Sequence, residues 1–437
     1  MAFWDRLTAS KQENPDIYFG RYSDAYKSAE QYVAWDKSLK LFEENKYLES
    51  VKAFVHYLEN HGKANLILTE DSEALFCFSL YQGSKQIDCL VNDKIFRAES
   101  KIAHCKDLNV GFLRKAVEYN YDLNYARFSL DPQNNLCMLF DSMLSEASPY
   151  KLYYGLKELA IQSDKEDDLL LSEFEHLEPL KNQHIKILSS EIVHIKIEYI
   201  HSRLDALNAS DLLGTLNPKR YQGALTYAYL SAIYGLDYLV KPEGPFMDVL
   251  GNIHIRYFSL PADRIEEKIN VLQEGMKDLR EISDDQLSKE LYEVISTFGI
   301  TSPANHSVVA QFIDSELQAV KWYEENKHDK VTMAICNYIA GYCLYNFALP
   351  GPDHDLMRLY FEVAEQDYFN KLGFQFNFRN KDGSRVLKDK IVDRIEHILE
   401  KHRPAFPNLP ATLTLEGETL PAVLKSLLVF IKSLSLS

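Results

Sequence analysis

Ala74-Leu75-Phe76-Cys77-Phe78-Ser79-Leu80-Tyr81-Gln82-Gly83-Ser84-Lys85-Gln86-Ile87-Asp88-Cys89-Leu90-Val91 is the stretch on which the fold turns. It sets Ala74, Phe76, Phe78 and Leu80 against Leu75, Cys77, Ser79 and Tyr81, the period of two that marks a strand, with both faces largely apolar. Gln82-Gly83-Ser84 supplies turn chemistry, so Gln86 to Val91 reads as the hairpin partner. Asn92-Asp93 turns again, and Ile95 to Ala103 gives a third strand with Arg97, Glu99 and Lys101 on a wet face. Links this short impose antiparallel pairing, because a parallel pair needs a crossover of about a dozen residues or more.

Upstream the period becomes helical. Leu48, Val51, Val55 and Leu58 make one stripe of a helix from Tyr47 to Asn60, which His61-Gly62 closes as a C-cap. Trp35 to Glu44 predicts the helix before it, joined at Asn45-Lys46 in a hairpin loosely similar to a tetratricopeptide unit. Residues 1–37 read as a helical extension from Ser23 onward, on the spacing of Tyr22, Tyr26, Ala29 and Val33. Downstream, Asn109 caps a helix whose stripe is Val110, Leu113, Val117 and Tyr121. Tyr125 to Leu130 and Leu136 to Ser142 form a hairpin around Asp131-Pro132-Gln133-Asn134-Asn135. Ser148-Pro149 then starts a helix bearing Leu152, Leu156, Leu159 and Ala160.

The order over Ser38 to Leu177 is therefore α-β-β-β-α-β-β-α with a five-stranded antiparallel sheet. This order, with Asn134-Asn135-Leu136-Cys137-Met138-Leu139-Phe140 followed by the Ser148-Pro149 helix start, resembles the YbjN-like and type III secretion chaperone-like proteins. The resemblance covers about a third of the chain. It implies a protein-binding or chaperone-like module, often dimeric, without enzyme activity.

From Leu180 onward the pattern is almost wholly helical, with helices expected at 180–206, 219–240, 261–281, 284–298, 307–326, 329–347, 353–372, 382–402 and 419–436. Their breaks fall at Asn217-Pro218, Pro242 to Pro245, Ser302-Pro303, Pro350-Gly351-Pro352 and Pro404 to Pro410. Phe374 to Phe378 alternates and predicts a short strand. The class is thus α+β. An N-terminal extension (1–37) and a chaperone-like domain (38–178) precede a helical bundle or repeat-like domain (179–437).

With 64 acidic and 48 basic residues, the net charge of −16 repels phosphate backbones and anionic bilayers, which argues against nucleic acid or membrane partners. The densest acidic run, Asp164 to Glu178, reads as a solvated helix face. The start, Met-Ala-Phe-Trp-Asp-Arg-Leu, lacks an apolar signal core, and no stretch reaches the ~18 apolar residues of a span. The six cysteines form no CxxC pair, so reduced thiols in a cytoplasmic protein are expected.

Three constellations bear on chemistry. His194, Glu198 and His201, at i, i+4 and i+7, share a helix face, but the spacing is not that of a known zinc motif. In Asp353-His354-Asp355 the aspartates suit a helix start, with Asp353 as N-cap. His104 and Cys105, adjacent on a strand, face opposite sides. No phosphate-cradling glycine loop is present. No catalytic, cofactor-binding or metal residue is assigned, and no cofactor is expected. The leading expectation is a non-enzymatic protein- or peptide-binding protein, a homodimer being one arrangement. The alternatives are an enzyme whose site lies between the domains, from residues such as His194, His201 and Asp353, or a structural subunit of an assembly.

Overall fold

A computed structural model describes residues 14–436, apart from 61, 73–74, 108–109, 181–183, 208–212, 381–382, 384 and 411–412. The cap positions His61 and Asn109 and the strand start Ala74 lie outside the described residues. Ser28 opens α1 (Ala29–Glu43) through a reciprocal capping box with Gln31. Asn45, at φ 61°, turns the chain into α2 (Tyr47–Leu58), and Trp35 packs on Tyr57 across the hairpin. Two expectations change here. No helix covers Ser23 to Lys27, and α1 continues through Trp35 to Glu43 as one element.

An antiparallel sheet follows, built from β1 (Leu66–Asp71), β2 (Phe76–Gly83), β3 (Lys85–Val91), β4 (Ile95–Cys105), β5 (Arg127–Leu130) and β6 (Asn135–Met143) in the order β1-β2-β3-β4-β6-β5. Gln82 pairs with Lys85 across the Gly83-Ser84 turn, and Asn134 takes φ 60° in the β5–β6 turn, where Asp131 Oδ1 accepts from the Gln133 and Asn135 amides. Phe76, Phe78, Leu80, Ile87, Val91, Phe96, Ala98 and Phe140 fill the inner face, while Gln86, Asp88, Arg97, Lys101 and Asp141 meet water on the outer one.

The sheet exceeds the five strands expected. β1 has no strand signature in the sequence, because only Leu66 of its residues is buried and it carries no alternation. β7 (Leu177–Pro179) joins β4, and β10 (Ile295–Ser296), from deep in the helical region, joins β2. Elements of two or three residues are too short to show a period.

Helix α4 (Pro149–Glu173) begins as expected, Ser148 Oγ accepting from the Lys151 amide with proline in the first turn. It lies on the inner face of the sheet with Leu152, Leu156, Leu159 and Ala160 all buried. The approach is close because Gly155 sits on the Phe140 ring, where a Cβ would come within 2.4 Å of a ring carbon. Gly155→Ala should therefore destabilise by about 1–3 kcal/mol, outweighing the ~1 kcal/mol that alanine gains in a helix. Chemical denaturation checks this, and a stabilised variant would contradict the packing.

The region beyond 190 is mainly helical. Helices Gln222–Val240, Ile265–Glu281, His306–Glu325, Asp329–Asn346, Lys388–His402 and Leu420–Lys432 follow the expected pattern. The helix expected over 180–206 begins only at Ser190 (Ser190–Asp205), because Lys186 and Ile187 before it are drawn into a short strand. Gly244–Ser259 is a further helix, with Pro245 in its first turn; the proline that reads as a break is a start signal. The helix expected over 284–298 stops at Lys289 and gives way to β9 (Tyr292–Glu293) and β10; β9 pairs with β8 (Lys186–Ile187). The helix expected over 353–372 divides into Gly351–Ala364 and Gln366–Lys371. Phe374 to Phe378 forms no strand of a sheet, while Arg379 bridges to Val386; the Phe374 and Phe376 rings pack edge-on and tilted against Phe369 instead.

Among the described residues there are two apolar cores. One lies between the sheet, α2 and α4 and includes Phe298; the other fills the helical region and takes Ile17 from the N-terminal segment. Each core therefore borrows a residue from across the seam.

Candidate functional site

Two segments cross that seam, and both are fixed by local chemistry. The first is residues 18–27. Gly20, at φ +66°, donates its amide to Tyr238 O at 2.8 Å and lies against the Tyr238 ring, where a Cβ would come within 2.7 Å. Arg21 Nε donates to Asp237 Oδ1 at 3.0 Å. Asp24 accepts from the Gly299 amide at 2.7 Å and the Tyr153 hydroxyl at 2.8 Å. The second is residues 292–301, whose β10 extends β2 while Gln82 exchanges two hydrogen bonds with the Phe298 backbone, at 3.1 and 2.9 Å.

Beneath the second segment lies a cluster of buried charge. Lys196, wholly buried, donates to Val240 O at 2.8 Å, and its ammonium stands 3.7 Å from Glu293 Oε1. Lys241 reaches Glu293 Oε2 at 3.4 Å. Burial holds the Lys196 ammonium down to about 8, with Glu293 opposing and Lys241 adding to the shift. Burial likewise raises the Glu243 carboxyl.

Between these segments runs a groove of two chambers that share Arg21, Tyr22, Lys241, Val294 and Ser296. The inner chamber, about 240 Å³, mixes signs: Asp164, Asp237, Glu243 and Asp248 face it with Arg21 and Lys165. The outer chamber, about 390 Å³, is lined by Lys63, Lys241, Arg21, Arg358 and His354, with tyrosines at its rim. No aspartate or glutamate lines it among the described residues.

The residues singled out in the sequence lie elsewhere. His194 pairs with Glu198 at 3.2 Å and His201 with Asp284 at 2.7 Å, all four exposed. Asp353 is not an N-cap: Pro350 holds that position, and Asp353 is buried in the first turn, bonded to His306 Nδ1 at 2.9 Å. The three residues His194, His201 and Asp353 are thus not brought together. Asp355 accepts from Lys401 at 2.7 Å and His402 Nε2 at 2.8 Å, and these donors, with His354, hold its carboxyl far below the usual range against burial. His104 bonds Asn135 at 3.0 Å while Cys105 is buried. All six thiols are free, and among the described residues no three His, Cys, Asp or Glu side chains are grouped to hold a metal.

The acidic run Asp164 to Glu178 is only partly a solvated face. Asp164, Glu166 and Asp167 turn into the protein: Asp164 takes the Ser84 amide at 2.7 Å, and buried Asp167 pairs with buried Lys85. Sequence missed this because the partners lie some eighty residues upstream. It missed the groove for the same reason, since Arg21, Lys63, Lys241 and Arg358 form no local motif.

A second feature is a bare surface. Helix α3 (Val110–Asp122) buries only Phe112, which packs against Phe174 and His176. The stripe Val110, Leu113, Val117 and Tyr121 points outward: Val110 is 82% exposed, Val117 68% and Tyr121 91%, with Leu113 at the margin. Among the described residues no helix is long and apolar enough to cross a membrane. No family model matches this sequence, and no curated protein is significantly similar to it.

Proposed function

We propose that this chain is a protein-binding, chaperone-like or adaptor protein, and that α3 is the face it offers to a protein or peptide partner. One observation carries the reading. Val110, Val117 and Tyr121 recur at helical spacing yet lie on the side of α3 away from the sheet. Contiguous exposed apolar surface of this kind marks interaction sites, and a helix is a common element for such docking. The Arg114–Glu118 pair, at 3.0 Å, gives the same helix both signs of charge. The α-β-β-β-α-β-β-α order over residues 38–177 supports the reading, because the YbjN-like and type III secretion chaperone-like proteins it resembles are protein-binding modules, often dimers.

The double variant Val117→Asp/Tyr121→Asp tests it. Both side chains are exposed, so stability should stay within about 0.5 kcal/mol of the parent. A bound protein, or a second copy of the chain, should be lost by at least tenfold in affinity, on the scale of one or two buried apolar side chains. Sedimentation reads self-association; cross-linking from Lys115, on the same helix, reads a foreign partner. A variant that keeps the same partner and the same cross-links would end the proposal.

A further inference from the structure

We propose that the outer chamber of the seam groove binds the phosphate group of a small anionic molecule, at a site separate from α3. The chamber, about 390 Å³, is cationic in a chain whose net charge is −16. Its charges come from four separate parts of the chain: Arg21, Lys63, Lys241 and Arg358. The carboxylates that hold these groups, Asp237 for Arg21, Glu293 for Lys241 and Glu362 for Arg358, do not line the chamber. They hold the cations from outside the lining, where no aspartate or glutamate stands among the described residues.

Several donors remain available. Lys63 has no carboxylate partner among the described residues, and its ammonium rests 4.1 Å above the Tyr22 ring. Arg358 gives its Nε to Glu362 at 2.9 Å, and its two Nη groups have no hydrogen-bond partner among the described residues. Glu362 is also shared with Arg394, so one carboxylate serves two guanidinium groups there. Thr301 belongs to the chamber wall, and its Oγ1 is buried and makes no hydrogen bond among the described residues. An unsatisfied buried hydroxyl is costly, and a turn of the Thr301 side chain about χ1 toward a ligand oxygen would satisfy it. The helix Gly351–Ala364 starts at the chamber through Gly351, and no side chain caps it.

Burial and the neighbouring Lys241 hold the Lys63 ammonium down to about 8, as expected where positive charge is crowded without compensation. A carboxylate supplies one charge in a plane. A phosphate monoester or diphosphate supplies two or more, with oxygens directed to several sides, which suits ammonium, guanidinium and hydroxyl donors arriving from different elements. Tyr18 and Tyr26, each about half exposed at the rim, offer rings to the organic part of such a molecule.

The test is calorimetric titration of the full-length protein at low salt with inorganic phosphate, pyrophosphate and citrate. Saturable binding of pyrophosphate, weakened by added salt, is expected. Lys63→Met should weaken it by about tenfold or more, the loss of one charge-assisted contact, while Lys277→Met, on an exposed helix face, should not. Thr301→Val should raise the melting temperature of the empty protein and weaken binding, which a merely structural hydroxyl would not do. The α3 double variant should bind pyrophosphate normally, so the two proposals fail separately. Absence of saturable binding at millimolar pyrophosphate would overturn the site. So would affinity unchanged in both Lys63→Met and Thr301→Val, and citrate binding as tight as pyrophosphate would overturn the assignment to phosphate.

Discussion

Glu293→Gln is expected to lower stability by about 3–5 kcal/mol at neutral pH, the cost of breaking a buried ion pair by removing one partner. Glu293 is 2% exposed and stands between two ammonium groups, Lys196 at 3.7 Å and Lys241 at 3.4 Å. Glutamine keeps the shape and removes the carboxylate that bridges them. The wholly buried Lys196 would retain just its bond to Val240 O. The deficit should narrow as pH rises from 7 to 9. Lys196 releases its proton near 8 in the folded protein, whereas an unfolded lysine keeps it to about 10.4. Between those values the unfolded chain binds more protons, so stability rises with pH. Without Glu293 the folded value falls further and the window opens earlier. Lys196→Met should cost less, because Glu293 then still has Lys241. Urea denaturation at both pH values measures all of this, and a Glu293→Gln protein within about 1 kcal/mol of the parent at pH 7 would refute the cluster as described.

Lys85→Ala should be of similar size, about 3–5 kcal/mol. Lys85 points into the sheet core at the start of β3, 2% exposed, where its ammonium pairs with Asp167 of α4 and donates to Ile102 O at 3.2 Å. Alanine would leave the buried Asp167 carboxylate with the Ser84 hydroxyl, at 2.9 Å, as its remaining hydrogen-bond donor. It would also remove the aliphatic stem. The double variant Lys85→Met/Asp167→Leu should recover most of the loss, since well-packed apolar side chains often replace a buried pair at little cost. If the single and double variants lose equally, the pair is not what holds β3 to α4.

Phe76 to Val91, the Asp131–Asn135 turn and the Ser148-Pro149 cap were legible because each is a local pattern. Alternation, turn residues and capping are decided by neighbours within four or five positions. The same locality explains the failures. β10 is two residues long and becomes a strand only because β2 offers it an edge at Gln82 and Gly83. The stripe Val110, Leu113, Val117 and Tyr121 was correctly read as helical, but periodicity reports only that a helix has an apolar face and not which way that face points.

What the amino-acid sequence determined by itself was the α+β class, the antiparallel hairpins and most of the helices, because these follow from backbone sterics and short-range periodicity. Only the tertiary structure decided where the charges went. Asp167 and Lys85, Glu293 and Lys196, and the Lys63, Lys241 and Arg358 cations around the groove are each separated by tens to hundreds of residues. A charged side chain carries no mark in the sequence of whether it will be solvated. Desolvation and pairing exist only once the chain has closed around it.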